Sequence, residues 1–162
     1  YRQDKLSDAL GLDINFVQDN QSKSTMGVLR GLHFQISPFA QSKLVRVIDG
    51  EVLDVAVDIR KGSPTFGKHV SAILSDENKK QMFIPRGFAH GYIVLSNTAT
   101  FSYKVDNLYS PKHERGLAFD DPQVNINWSI PAEQFFLSEK DRNQPSLSCL
   151  QAYFHSKYNY YE

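Results

Sequence analysis

Lys43-Leu44-Val45-Arg46-Val47-Ile48, then Asp49-Gly50, then Glu51-Val52-Leu53-Asp54-Val55-Ala56-Val57-Asp58-Ile59, is the stretch on which the fold turns. Two β-rich runs flank an Asp-Gly pair. That is the strongest short-range hairpin signal, because both central positions of the tightest turn need φ > 0. The spacing predicts a hairpin in which Ile48 pairs with Glu51, Val45 with Asp54 and Lys43 with Ala56. Alternation in the second run puts Leu53, Val55, Val57 and Ile59 on one face, and Val52, Asp54, Ala56 and Asp58 on the other. Lys43 and Asp54 are then diagonal neighbours on one face, within reach for a long side chain. Buried charges occur mostly as pairs, so this face is either solvated or lines a cavity. By pattern alone the solvated face is the plainer reading.

The same punctuation runs outward from this centre. Further strands are predicted over Val28–Gln35, His69–Leu74, Gln81–Ile84, His90–Leu95, Thr98–Val105 and Gly116–Phe119. Turns interrupt them at Gly62-Ser63-Pro64, Ser75–Asn78, Pro85-Arg86-Gly87 and Ser110-Pro111. Short strands at regular spacing, with little helix between them, argue for a mainly β sandwich or barrel. Helix is expected only at the front, Arg2–Leu12, with Gly11 as its cap, and in the tail at Pro131–Leu137. The chain ends in an aromatic cluster, Tyr158–Tyr161. With no repeat, linker or charge block, residues 1–162 read as one domain.

Composition removes several function classes. Eighteen Lys+Arg balance eighteen Asp+Glu, which speaks against a nucleic-acid binder, since that class carries a basic excess. No apolar run approaches the roughly 18 residues of a transmembrane helix, and no basic-then-apolar leader opens the chain, so a cytoplasmic protein is expected. Cys149 is the only cysteine, which excludes an intramolecular disulfide and a cysteine zinc cage. The first residue is Tyr1 and not Met, so a cut or processed N-terminus is expected.

Small β-barrels often hold metals, yet the five histidines form no His-x-His or His-x-x-x-His pair. Gln35 stands two residues after His33, where a metal-binding barrel would place a second imidazole. Pro85-x-Gly87-x-x-His90 looks like half of a cupin motif, but two plausible ligands do not make a site. No bound metal is expected. His69, His113 and His155 read as surface residues.

Several longer motifs are more specific. Arg30-Gly31-Leu32-His33-Phe34-Gln35, Gln41-x-Lys43-Leu44-Val45-Arg46 and Gly50-Glu51-Val52-x-Asp54 closely resemble the dTDP-4-dehydrorhamnose 3,5-epimerase family. So do Ser63-Pro64-Thr65-Phe66-Gly67, Ile84-Pro85-x-Gly87-Phe88-Ala89-His90-Gly91, Phe101-x-Tyr103-Lys104, Tyr109-Ser110-Pro111 and Ser138-x-Lys140-Asp141. The resemblance runs from Tyr1 to about Asp141. It implies a cupin-type jelly roll and a homodimer that needs neither metal nor organic cofactor. It also implies a dTDP-sugar substrate in dTDP-rhamnose biosynthesis. Carried over position by position, His33 resembles the family's general base, Tyr103 its general acid and Asp141 the carboxylate behind the histidine. Lys43 is similar to the cation beside the keto oxygen, with Asp54 and His90 near it. Gln18, Asp19, Asn20, Arg30, Glu114 and Lys140 match substrate contacts, and Tyr109 matches the aromatic that stacks on thymine. Family members carry an N-terminal stretch, including an Arg and a Glu that contact the nucleotide sugar, which this chain lacks ahead of Tyr1.

The chemistry asks for these residue types. A 4-keto group acidifies the C–H bonds at C3 and C5, and inverting either carbon needs a base on one face and an acid on the other. Neutral imidazole accepts a proton near pH 7, and a carboxylate on its far nitrogen fixes the tautomer. Tyrosine stays protonated and donates. A preorganised lysine stabilises the enolate. The implied reaction is epimerisation of dTDP-4-dehydro-6-deoxy-D-glucose at C3 and C5 to dTDP-4-dehydro-L-rhamnose. Two alternatives stay open: an epimerase acting at C3 or C5 alone on a related sugar, and a non-catalytic sugar-nucleotide-binding cupin.

Overall fold

The structure is a computed structural model that describes residues 1–161; Glu162, the last residue of the span read as one domain, lies outside them. A short helix, α1 (Gln3–Leu10), ends at Gly11, which is left-handed and returns its N–H to the Ser7 carbonyl. Eleven strands follow. They are β1 (Gln18–Thr25), β2 (Leu29–Gln35), β3 (Lys43–Asp49), β4 (Glu51–Asp58), β5 (Arg60–Lys61) and β6 (His69–Ser75). Then come β7 (Gln81–Ile84), β8 (Phe88–Val94), β9 (Thr98–Val105), β10 (Glu114–Gly116) and, after a second short helix, α2 (Glu139–Arg142), β11 (Phe154–His155). Two antiparallel sheets face each other, ordered β1-β9-β3-β7 and β10-β2-β8-β4-β6, with β5 and β11 as a small third pair. This is the jelly-roll sandwich that the resemblance implied.

The central hairpin does not form. Asp49-Gly50 joins β3 to β4, but β3 pairs with β7 and β9 while β4 pairs with β6 and β8. The pair is a corner at which the chain leaves one sheet for the other. Gly50 makes the corner possible: φ is +82°, and a Cβ there would sit 2.1 Å from the Thr98 carbonyl oxygen. A type I′ turn would have left both strands in one sheet. Here β8 and β9 offer each strand a longer central partner, so tertiary pairing overrides the local turn signal.

That corner explains why β4 is buried along its length from Val52 to Asp58. Val52 and Ala56 pack between the two sheets with Val45, Val47, Leu74, Ile84 and Phe101. Leu53, Val55 and Val57 face the other way, into a layer built by Leu117, Val124, Trp128, Leu147 and Phe154. The buried Asp121 carboxylate organises that layer by accepting the Gln123, Val124 and Leu147 N–H groups. The helix expected at Pro131–Leu137 is only a 3₁₀ turn, Ala132–Gln134, because Phe136 instead exchanges backbone hydrogen bonds with Gly27 and Leu29. The strand expected at Gly116–Phe119 lies earlier, at Glu114–Gly116. Among the described residues, no helix is long and apolar enough to cross a membrane.

The corner yields a stability prediction. Gly50→Ala and Gly11→Ala both force alanine into a left-handed backbone, a cost of about 1–2 kcal/mol. A Cβ at Gly11 meets nothing within 4 Å, whereas at Gly50 it meets backbone. Urea unfolding should therefore show Gly50→Ala to be the more damaging by at least about 1–2 kcal/mol, in the range of overpacked sites. Equal losses would mean that the corner relaxes freely.

Candidate active site

The two sheets converge on one cavity of about 550 Å³. From the five-stranded sheet, β2 supplies His33 directly opposite His90 of β8, and Asp54 of β4 lies one row further. From the four-stranded sheet, β9 supplies Tyr103, flanked by Asn20 of β1 and Val45 of β3, with Lys43 at the start of β3. His33, Lys43, His90, Tyr103, Asn20 and Asp141 all line the cavity. A second recess of about 300 Å³ continues from it past Gln18, Tyr109 and Glu114, and shares His33, Lys43 and Tyr103. The β1 side of both is polar because β1, Gln-Asp-Asn-Gln-Ser-Lys-Ser-Thr, turns Asn20 and Ser22 to the cavity and Gln18 and Asn20 to the recess.

His33 is held by a carboxylate. Its Nε2 lies 2.5 Å from Oδ1 of Asp141, whose side chain is 5% exposed. Burial works to raise Asp141, but the His33 and Ser138 hydrogen bonds outweigh it and hold the carboxyl below its usual range. An ionised Asp141 only accepts, so Nε2 carries the proton and Nδ1 is left as the basic nitrogen. Ser138 holds Asp141 twice: its Oγ donates to Oδ2 at 2.9 Å and accepts the Asp141 N–H as the N-cap of α2.

A second, deeper pair sits beneath. His90 Nε2 reaches both oxygens of Asp54, at 3.1 and 2.9 Å, and Asp54 is fully buried. Burial holds His90 below the ordinary imidazole range even though Asp54 works to raise it, with Lys43 a smaller contribution on the side of burial, so at pH 7 it is neutral and donates to Asp54. Lys43 forms no hydrogen bond or ion pair among the described residues, which leaves its ammonium open to a ligand. Burial takes it down to about 8, while Asp54 and Glu114 pull it back up. Burial, and then Tyr92, push the Tyr103 phenol above its usual value, so it is a proton donor at neutral pH.

Glu114 ties the mouth together. It accepts Tyr109 Oη at 2.7 Å and pairs with Lys140. Burial opposes its ionisation, but Lys140 and Tyr109 prevail and hold it low, and Tyr109 rises to about 12. Gln35 is not a failed metal ligand. Its amide donates to the Phe39 and Leu108 carbonyls and accepts the Ser110 N–H, which fixes the loop that presents Tyr109. Among the described residues, no three His, Cys, Asp or Glu side chains converge as a metal would need.

Most of the residues singled out in the sequence are thus brought together. Asp19 is not, because its side chain points to the outer face of β1 and pairs with Lys104 at 2.7 Å. Arg30 is at the rim, braced by Ser24 at 3.1 Å. His69, His113 and His155, expected at the surface, are all half-buried, and His113 is bonded to Ser110 with its ring tilted against Phe39. The sequence reading assigned no role to Ser138, Gln35 or Tyr92. The Ser-x-x-Asp spacing of an N-cap could have flagged Ser138. No local signal marks the other two.

The family model described as dTDP-4-dehydrorhamnose 3,5-epimerase matches residues 1–148. A Shigella flexneri protein of that name is 57% identical over 143 residues, covering 88% of this chain and 78% of its own. The Legionella pneumophila dTDP-6-deoxy-D-glucose-3,5-epimerase, solved in complex with dTDP-4-keto-L-rhamnose, superposes with a TM-score of 0.92 at 49% identity. It covers 98% of this chain and 84% of that one. A 3′-monoepimerase from Streptomyces bikiniensis, in complex with dTDP-quinovose, gives a TM-score of 0.84 at 32% identity, over 91% of this chain and 74% of that one. Fold, cavity and sequence agree: the chain belongs to the dTDP-4-dehydrorhamnose 3,5-epimerase family.

Proposed function

We propose that the protein epimerises dTDP-4-dehydro-6-deoxy-D-glucose at C3 and C5 to give dTDP-4-dehydro-L-rhamnose. The observation that carries the reading is a base and an acid facing one cavity from opposite sheets, His33 backed by Asp141 and Tyr103 opposite, with Lys43 beside both. His33 Nδ1 takes the proton from the carbon next to the ketone, and the electron pair moves onto O4 as an enolate. Lys43 stabilises that oxyanion. Tyr103 Oη then protonates the carbon from the other face; its phenolate regains a proton from solvent while the His33 imidazolium releases the abstracted proton to solvent, which restores both groups for the second carbon. The keto group itself acidifies C3 and C5, so the reaction needs neither metal nor organic cofactor. Gln18, Tyr109, Glu114 and Lys140 form the end that takes the dTDP moiety, with Tyr109 stacked on thymine. Arg30, Asn20 and the His90–Asp54 pair complete the sugar site. The greater likeness to 3,5-epimerases, 57% and 49% against 32% for the monoepimerase, favours inversion at both carbons. We read the enzyme as a cytoplasmic homodimer. The sheets end in β6 and β7, and Val70 of β6 is 63% exposed, an apolar edge that a second copy would cover.

Three outcomes test this reading. In deuterium oxide, His33→Ala should abolish label uptake at both C3 and C5. Tyr103→Phe should lose net epimerisation by about 10²–10⁴-fold, the usual worth of an acid–base group, while still exchanging label with retention. Normal epimerisation by Tyr103→Phe would make the tyrosine a packing residue.

Lys43 gives the pH dependence. It must be charged to hold the enolate, so turnover should fall as the pH rises through about 8. Its folded value lies below the unfolded 10.5, so the native state binds fewer protons between about 8 and 10.5. The burial cost is full at pH 7 and is released as pH rises through that window. Lys43→Met should therefore be inactive yet more stable at pH 7 by up to roughly 3 kcal/mol, with the gain shrinking above pH 8. A destabilised Lys43→Met would show that the cation supports the fold. For association, sedimentation at micromolar concentration should give a dimer, and a monomer there would remove that part of the reading.

A further inference from the structure

Residues 149–162 lie beyond the span that the family model matches. The sequence marks this tail only by its aromatic cluster, yet it packs back against Ser42, next in the chain to Lys43. β11 lies parallel to β5, and the Tyr160 ring packs edge-on against Phe154 at 5.0 Å. The turn that follows delivers Tyr161 to the outside of the cavity wall. Tyr161 Oη accepts the Arg86 N–H at 3.1 Å and shares a hydrogen bond with Ser42 Oγ at 2.9 Å. The Arg86 guanidinium lies over the Tyr161 ring and donates to the Tyr160 carbonyl. It also pairs with Asp106 at 3.1 Å, and the other Asp106 oxygen accepts the Ser42 N–H at 2.6 Å.

Tyr161, Ser42, Asp106 and Arg86 thus close a ring of hydrogen bonds. Ser42 is fully buried and the Asp106 side chain nearly so, so the bonds that these two make are shielded from water. The ring's location gives it a use. Ser42 immediately precedes Lys43, and Asp106 follows Val105, the residue that pairs with Lys43 across β3 and β9. The ring therefore clamps the end of the two strands from which Lys43 and, two residues further in, Tyr103 enter the cavity. We propose that Tyr161 is a positioning residue for Lys43, so that the C-terminal tail is part of the active-site scaffold. The inference rests on the reading of Lys43 as the cation that meets the enolate.

Tyr161→Phe tests it, because it keeps the ring and its contact with Arg86 while removing only Oη. A shift of about 1 Å in a positioned group can cost up to about 100-fold in rate, so kcat should fall by about 10- to 100-fold. KM should stay within about twofold, because the groups that hold the nucleotide are untouched. The alkaline limb of the kcat profile should move. Ser42→Ala should reproduce the loss, and the double variant should lose no more than either single one, as expected for two groups acting through one bond. The proposal is overturned if Tyr161→Phe or Ser42→Ala keeps kcat within about twofold with an unmoved alkaline limb, whatever the melting temperature does. It is also overturned if the two losses multiply. If Lys43→Met turns over normally, the reading of Lys43 fails and takes the inference with it. An inactive Lys43→Met beside a normal Tyr161→Phe would sink the inference alone.

Discussion

Lys43 puts a positive charge between two β-sheets, where burial works against it and only the Asp54 and Glu114 carboxylates restore part of its basicity. Asp54 is fully buried and must itself be satisfied, which His90 does through both carboxylate oxygens. His90 in turn stays neutral, chiefly because burial disfavours its charged form, and Lys43 nearby adds to that. One charge thus dictates the identity of its neighbours on β4 and β8. The sandwich must also keep this polar end apart from its apolar core. Tyr92 stacked on Phe101 at 4.1 Å forms the boundary, with the Tyr92 hydroxyl turned to Ser22 and both rings turned to the core.

The fold class was legible because alternation survives in most strands: β7 and β9 lie where their residue patterns put them. The connectivity at Asp49-Gly50 was not. A turn signal reports which dihedrals the chain can adopt, and Gly50 does adopt a positive φ. It does not report whether the strands it joins will pair. The mistaken hairpin still placed Lys43 near Asp54, because both side chains point into the gap between the sheets, from opposite walls and not from one. β1 was missed for the opposite reason. Its eight residues are all polar, so no hydrophobic period marks it, and only its pairing with β9 along the full length makes it a strand.

The candidate site divides along similar lines. His33, Lys43 and Tyr103 sit on strands that the sequence patterns identified, and the resemblance supplied their proposed roles. Asp141 is 108 residues from His33, and no spacing rule links them. It arrives on a four-residue helix in the layer that covers the five-stranded sheet, a layer whose order depends on Asp121, Trp128 and other long-range contacts. Such contacts have no periodic trace in a single sequence.

This division bears on how one base and one acid can serve two carbons. Tyr103 rises from a central strand held on both sides by β1 and β3. His33 is fixed from behind by Asp141, and Asp141 by two bonds to Ser138. Lys140, next in the chain, ties the same helix to Glu114 of β10. An exposed ion pair adds little stability, yet it restricts where α2 can sit. Neither proton-transfer group therefore has freedom to travel between C3 and C5. On the proposed mechanism the sugar must move instead. C3 and C5 flank C4 symmetrically, so a turn of the ring about the O4–Lys43 contact would bring each carbon in turn between the same base and the same acid. Rigid protein groups and a mobile ring then account for double inversion with a single set of catalytic residues, and make the placement of Lys43, the pivot, the geometric requirement on which both inversions depend.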